Sequence, residues 1–388
     1  MGIGRRLGVN FAVCARSRFR FWVNHEQVIV RWWVVLIFLA FGCAHTGEVS
    51  QLGAAENDPS QNALAVFRHE AIEFQQGQNR LVGDLALPGG TPPYPVVVFV
   101  HGSGPATRHM DYLKSIGNEF LRRGFATFIW SKPGVDESTG HYLKQTMEMR
   151  AEEVAAAIAH LAKRSDIDAN RIGLWGISQA GWVMPMVPIY RSVAFVISVS
   201  GSAQTGQKQD LFGTANELTQ IGFSDDELAD ALAHRLEFYD LIHEGLTYEE
   251  FLPRQQEWLA EMKSRPWYPM LESHLDELIF QDFVMEADPQ IYEFVSINDQ
   301  DGALVSLPRL KSLEMPVLAI YGSEDALVDS GLGSNAYREI PQINGNSDVT
   351  VIVFEGADHG IMQLDSEGYP DFAPDFLATM GEWLAEHR

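Results

Sequence analysis

Ser178 stands in the stretch Arg171–Gly181, RIGLWGISQAG, where an apolar run leads into Gly176-Ile177-Ser178-Gln179-Ala180-Gly181. A serine on a sharp strand-to-helix turn is presented as a nucleophile, and the turn needs small residues where strand and helix approach each other. The usual pattern is G-x-S-x-G. Here Ala180 occupies the second glycine position, and Gly181 comes one residue late. Gly176 meets the need for a small residue, and Ala180 adds only a methyl group. A serine that merely caps the next helix is the plain alternative. The position between a buried strand pattern and a helix pattern favours the nucleophile.

Acyl transfer through a serine also needs a base, an acid that orients the base, and donors for the oxyanion. His359 lies in FEGADHGI after the apolar run DVTVIVF, and Asp325 lies in YGSEDALVD after PVLAIYG. Glu324, Asp329 and Asp358 compete for the acid role. Glu324 is the serious rival, because Asp358 adjoins His359 and is poorly placed to swing onto the ring. His101-Gly102-Ser103-Gly104-Pro105 follows the run PVVVFV, and its glycines let backbone N–H groups turn toward a developing oxyanion. The backbone N–H of Gln179 supplies one donor in this reading and that of Ser103 the second. His101 reads as a packing and hydrogen-bonding residue of the turn.

The elements that must position these residues follow a rhythm. AIEFQ and RLVGDLALP alternate around a Gln/Gly/Asn turn and read as a hairpin. Val96–Val100, FATFIW, RIGLW and VAFVISVSG are continuous apolar runs, as expected of strands buried on both faces. Helical patterns at Tyr112–Arg123, Met147–Arg164 and Gln179–Tyr190 alternate with them. The expected fold class is α/β, a mainly parallel sheet covered by helices on both faces. In such sheets active sites form at the C-terminal strand edge.

The rhythm stops over residues 207–307, which read as helical, and resumes after Pro308, ending in a helix at Phe372–His387. Ser224 is a good N-cap for the stretch that ends near Gly245, and Pro253 is expected to confine itself to the first turn of the next helix. The segment carries 5 Lys/Arg against 22 Asp/Glu, so it holds most of the net charge of −24. That charge argues against nucleic-acid binding, which needs Lys/Arg to neutralise phosphates. The expected organisation is therefore a core of 66–206 and 308–388 interrupted by an acidic helical domain.

Cys14 and Cys43 are the two cysteines, both in the N-terminal region, so disulfides do not hold the fold. A basic lead, the short apolar run VVLIFLAFGCAH and Gly42-Cys43 read as an export segment over 1–45, followed by a small polar linker over 46–65. Cys43 resembles a lipidated lipobox cysteine, with Ala40 and Phe41 departing from the commoner residues. A plain signal peptide and an uncleaved anchor are the alternatives. A periplasmic or membrane-anchored location is expected in each case.

VVVFVHGSGPATR, LRRGFATFIWSKPGVDESTG, RIGLWGISQAGWVMPMV and VAFVISVSG together resemble a group of bacterial serine esterases in the α/β-hydrolase superfamily. The chain order Ser178, Asp325, His359 is also that of the superfamily. The resemblance covers nearly everything from about Ala71 onward, apart from 207–307. Trp130-Ser131-Lys132-Pro133 replaces a commoner Asp-Lys-Arg, and Asp136 replaces a small residue in the same loop. Ile177 and Ala180 also depart from the usual residues around the nucleophile. The resemblance implies cleavage of small-molecule carboxylic esters through an acyl-enzyme, with no metal or organic cofactor. It also implies that 207–307 is a cap over the active site. Trp258, Trp267, Tyr268 and Phe283 then line an acyl pocket or form the cap's own core. The cap's charge disfavours anionic acyl-CoA and tilts the reading from thioesterase to neutral esters. An aminopeptidase and a catalytically inactive membrane-tethered binding module are the remaining alternatives, and the oligomeric state is left open.

Overall fold

The computed structural model describes residues 67–274, 289–300 and 309–387. The expectations for residues 1–66, Cys43 included, and for Phe283 lie outside the described residues. The chain runs β1 (Arg68–Gln76), β2 (Asn79–Leu87), β3 (Tyr94–Val100), α1 (Asp111–Arg122), β4 (Ala126–Trp130), α2 (Met147–Leu161), β5 (Ile167–Ile177), α3 (Ala180–Val183) and β6 (Val196–Val199). Helices α4 (Gly206–Gln220), α5 (Asp225–His243), α6 (Tyr248–Ser264), α7 (Tyr268–His274) and α8 (Pro289–Gln300) follow. The fold closes with β7 (Val317–Gly322), α9 (Ser330–Arg338), α10 (Ile340–Asn344), β8 (Val349–Phe354), β9 (Met362–Leu364), β10 (Pro370–Phe372) and α11 (Phe376–Glu386).

Eight strands form one sheet in the order β1-β2-β4-β3-β5-β6-β7-β8. The β1–β2 and β2–β4 pairs are antiparallel, and every pair from β4 through β3 to β8 is parallel. The continuous apolar runs are explained by the two-residue period of a strand. Val96, Val98 and Val100 enter one core, while Val97 and Phe99 enter the other. Val317, Ala319 and Tyr321 alternate in the same way with Leu318 and Ile320. Helix α2 covers the first face with Ala151, Val154, Ala157, Ile158 and Leu161. Helices α1 and α11 cover the second with Leu113, Ile116, Phe120, Phe376, Met380 and Leu384. This is the expected α/β-hydrolase fold class.

Three local expectations differ from the structure. The helix expected over Gln179–Tyr190 is an α-turn at Ala180–Val183 that tightens into a 3-10 helix at Met184–Ile189. Pro185 and Pro188 lack the N–H that an α-helix needs at those positions, so the ladder cannot continue. The final helix begins at Phe376 rather than Phe372, because Met362–Leu364 and Pro370–Phe372 pair as an antiparallel hairpin. Pro253 lies beyond the first turn of α6, which starts at Tyr248 after a Thr247/Glu250 capping box. The helix runs through Pro253 at the loss of one bond, to the Glu249 carbonyl.

Helices α4–α8 stand between β6 and β7 and bury a core of their own, including Leu218, Phe238, Phe251, Trp258, Met262 and Trp267. Trp258, Trp267 and Tyr268 all belong to it. Among the described residues no helix is long and apolar enough to cross a membrane.

Candidate active site

β5 delivers Ser178 at the C-terminal edge of the sheet with φ +60°. A non-glycine residue in this left-handed region is uncommon and persists only where its surroundings fix it. Here the Ser178 N–H donates to the Val199 carbonyl at 3.1 Å, and the Ser178 carbonyl accepts from the N–H groups of Gly181 at 2.9 Å and Ser202 at 3.1 Å. The glycine spacing follows from the same packing. A Cβ at Gly176 would lie 2.6 Å from the Ala180 Cβ, and one at Gly181 would lie 2.5 Å from the Ser202 nitrogen. The loop after β6 therefore crosses the turn at Gly181, and Ala180 already sits against Gly176. The second glycine is needed one residue later than the usual pattern has it.

Asp325 follows β7 and His359 follows β8. Asp325 Oδ2 and His359 Nδ1 are 2.8 Å apart. Oδ1 of the same carboxylate accepts from the N–H groups of Leu327 at 2.8 Å and Val328 at 2.9 Å. The Asp325 side chain is 0% exposed and that of His359 20%. The three competing acids are engaged elsewhere or point outward. Glu324 is exposed. Asp329 caps α9 by accepting from Leu332 N–H at 2.9 Å. Asp358 accepts from the N–H groups of Gly360 at 2.8 Å and Met362 at 2.9 Å, so it shapes the histidine loop rather than touching the ring.

The histidine loop is pulled across the sheet edge. A Cβ at Gly322, the end of β7, would lie 2.2 Å from the Ala357 carbonyl oxygen, so the acid and histidine loops touch through backbone. From the other side, Tyr112 of α1 donates its hydroxyl to the Gly360 carbonyl at 3.0 Å while its ring lies 6.3 Å from Trp175 of β5. Burial raises the Tyr112 phenol well above its ordinary range, which keeps it a donor. Ile361, two residues beyond His359, is buried at φ +55°. A β-branched residue there is a genuine outlier, held in place by these contacts.

Burial lowers the proton affinity of His359, but the charge and hydrogen bond of Asp325, with Asp358 adding to them, outweigh it, so its pKa stands above the ordinary imidazole value. Among the described residues neither His359 Nε2 nor Ser178 Oγ has a hydrogen-bond partner. Catalytic hydrogen bonds commonly tighten only when substrate is bound.

The turn after β3 lies against Ser178, since a Cβ at Gly102 would be 3.2 Å from the Ser178 Cβ. The N–H groups of Ser103 and Gln179 have no hydrogen-bond partner among the described residues. Behind the turn sits a buried polar cluster. His101 Nε2 donates to the Trp130 carbonyl, and burial, with Lys132 nearby, lowers its pKa to about 3, so it stays neutral. Lys132 Nζ donates to the carbonyls of Gly102 and Gly104, at 2.5 and 2.9 Å. Arg150 Nη2 donates to the His101 carbonyl at 2.7 Å, and Nη1 donates to the Gln179 side-chain carbonyl. Glu153 accepts from Trp130 Nε1 and from Gln145 Nε2, each at 2.6 Å.

Tyr112 and Arg150 are residues of this site that a reading of motifs passes over, and Lys132 lies in a motif that gave it no role. For Arg150 the signal is its register: it lies beside Ala151 and four residues before Val154 on the buried side of α2. Asp136, where the resembling group has a small residue, takes φ +49° and accepts from Ser131 Oγ at 2.5 Å and from Thr107 Oγ1. It thereby serves a left-handed position that aspartate tolerates.

Within the insertion, His234, Glu237 and Glu261 bring three side chains of metal-binding type within reach of one another. Both ring nitrogens of His234 are occupied, by Glu237 and by the Trp258 carbonyl, each at 3.2 Å. The cluster therefore offers no open nitrogen.

The fold and the site together define a class, and the alpha/beta hydrolase family model matches residues 97–373, from within β3 to the end of β10. The chain belongs to the alpha/beta hydrolase family. A protein of Escherichia coli, an uncharacterized 31.7 kDa protein, is 32% identical over 95 residues, 24% of this chain and 32% of its own. The esterase EstD of Thermotoga maritima is 23% identical over 302 residues, 75% of this chain and 60% of its own. The chain thus spans about a third and 60% of the length of these curated relatives. Among solved structures, an esterase of Pyrococcus furiosus matches with a TM-score of 0.50 and 15% identity, over 88% of this chain and 98% of that one. At that identity the likeness is one of fold.

Proposed function

We propose that the protein is a serine hydrolase that cleaves carboxylic esters through an acyl-enzyme, with Ser178 as nucleophile, His359 as base and Asp325 as its orienting acid. The observation that carries the reading is the 2.8 Å hydrogen bond between His359 Nδ1 and the buried Asp325 carboxylate, with Ser178 at φ +60° on the same sheet edge. Asp325 fixes the tautomer that leaves Nε2 free to take the Ser178 proton. Ser178 Oγ bonds to the ester carbonyl carbon, and the N–H groups of Gln179 and Ser103 receive the oxyanion. Collapse breaks the carbon–oxygen bond to the alcohol, which takes the proton from His359. Water, deprotonated by His359, then releases the acid and frees Ser178.

The name of EstD supports an ester rather than an amide as substrate. The acidity of 207–307 supports a neutral one over an acyl-CoA thioester. In this reading α4–α8 form a cap, tied to the acid loop by the bond from Asn216 Nδ2 to the Ala326 carbonyl at 2.9 Å. Export with lipidation at Cys43 belongs to the same proposal. A labelled fatty acid is expected to mark the full chain and to be lost in Cys43→Ser.

The direct test is turnover of matched p-nitrophenyl esters, acyl thioesters and aminoacyl anilides. Ester cleavage that drops at least about a thousandfold in a folded Ser178→Ala variant is expected. Preference for anilides would make the protein a peptidase, and turnover of none of the three would favour a binding module.

A further inference from the structure

We infer that Lys132 and Arg150 form a buried clamp that aims and strengthens the oxyanion donors, as positioning residues for the reaction proposed above. The inference rests on that reaction and adds to it residues that no motif assigned.

The geometry begins with the peptide bond. In a planar trans peptide the C=O and the following N–H point in opposite directions. Lys132 Nζ holds the Gly102 carbonyl, so the Ser103 N–H of the same peptide faces away from Lys132. Arg150 Nη2 holds the His101 carbonyl at 2.7 Å and thereby orients the Gly102 N–H in the same way. The other fork of Arg150 grips the side chain of Gln179, whose backbone N–H is the second donor. One guanidinium therefore ties together the two segments that carry the donors, the turn after β3 and the residue after Ser178. The turn contains two glycines, and without such contacts its peptides could rotate freely.

The clamp also polarises. A hydrogen bond received at a carbonyl strengthens the N–H across the same peptide, and the effect is larger in a dry interior. Lys132 and Arg150 are 3% and 6% exposed. Burial lowers both pKa values, with Arg150 adding to the effect on Lys132 and Glu153 opposing it. Arg150, lowered to about 10, remains charged at neutral pH. Lys132 needs only two N–H bonds for its two carbonyls, and a neutral amine has two. The positioning therefore survives either protonation state. Glu153, which accepts from Trp130 Nε1 and Gln145 Nε2, is the buried acid that acts electrostatically on both cations.

A merely structural pair would affect stability and substrate binding without singling out the transition state. The test is a comparison of wild type, Lys132→Met, Arg150→Gln and Arg150→Lys in turnover of a p-nitrophenyl ester. Each is also titrated with a trifluoromethyl ketone, which forms a tetrahedral oxyanion on the serine. In folded Lys132→Met and Arg150→Gln, kcat is expected to fall by about 10²–10³, the range for loss of an oxyanion donor. KM should change little, and ketone affinity should weaken in parallel with kcat. Arg150→Lys, which keeps a buried donor, should recover part of the loss. Wild-type kcat in any folded Lys132→Met or Arg150→Gln variant overturns the clamp, as does a loss confined to KM. If only one of the two folds, that one decides. Wild type that turns over no ester and binds no ketone overturns the proposed reaction and the clamp with it. An active wild type beside unaffected variants overturns the clamp alone.

Discussion

Asp325 raises the proton affinity of His359 against the effect of burial, and this has two consequences with defined signs. A general base must be neutral, so activity is expected to rise with pH through the raised pKa of His359, with its acid limb above the ordinary value near 6.5. Asp325→Asn removes the charge and leaves burial to lower the pKa. Its acid limb is therefore expected below that of wild type, with kcat reduced by roughly 10³–10⁴. An unmoved limb in a pH–rate profile would contradict the pairing. The stability linkage runs the opposite way. A group whose folded pKa is raised stabilises the fold fully below its unfolded pKa and loses that contribution as pH rises through the folded value. Wild type should thus gain stability relative to Asp325→Asn as pH falls through the raised His359 pKa toward the ordinary imidazole value, measured by denaturant midpoints. At this scale the sequence was informative about types and order. Ser178, Asp325 and His359 each stand directly after an apolar run, which is legible. Which of four nearby acids meets the ring depends on loop conformation, here on Asp329 capping a helix and Asp358 binding the N–H groups of Gly360 and Met362. No spacing in the chain encodes that.

The turn around Ser178 is governed by the approach of neighbouring elements. Gly181→Ala would drive a methyl to within 2.5 Å of the Ser202 nitrogen, which is backbone and cannot rotate away. Thermal or denaturant unfolding should show a loss of about 1–3 kcal/mol, together with reduced turnover because the same contact holds the Ser178 carbonyl. Ala180→Gly, which restores the common pattern, should keep turnover and lose up to about 1 kcal/mol, since it weakens the start of α3. The reverse ranking of the two variants would contradict this account of the shifted glycine. The strands were legible because runs such as Val96–Val100 serve two cores at once. The hairpin of β9 and β10 was not, because three-residue strands carry too short a pattern to separate from a loop. The break in the helix after Ser178 was legible in principle from Pro185 and Pro188, but the apolar run WVMPMV masks it.

Over the whole molecule, charge is distributed by element. The net charge of −24 concentrates in the segment that interrupts the sheet, where it meets any ligand approaching from that side. For an anionic ester, kcat/KM is expected to rise with salt as the Debye length contracts from about 30 Å at 0.01 M to about 8 Å at 0.15 M, while a neutral ester of similar size is unaffected. Identical salt responses would remove the electrostatic ground for preferring neutral substrates. The interruption of the α/β rhythm was legible, and Trp258, Trp267 and Tyr268 belong to a core that the helices make among themselves. The relation of these helices to substrate was not legible, because that depends on surfaces rather than on periodicity. The most direct test of the central claim is reaction of the folded protein with a fluorophosphonate, followed by peptide mapping. A single adduct on Ser178 is expected, abolished in Ser178→Ala and strongly slowed in His359→Ala. An adduct on another serine, or none on a protein whose folding is confirmed independently, would contradict it.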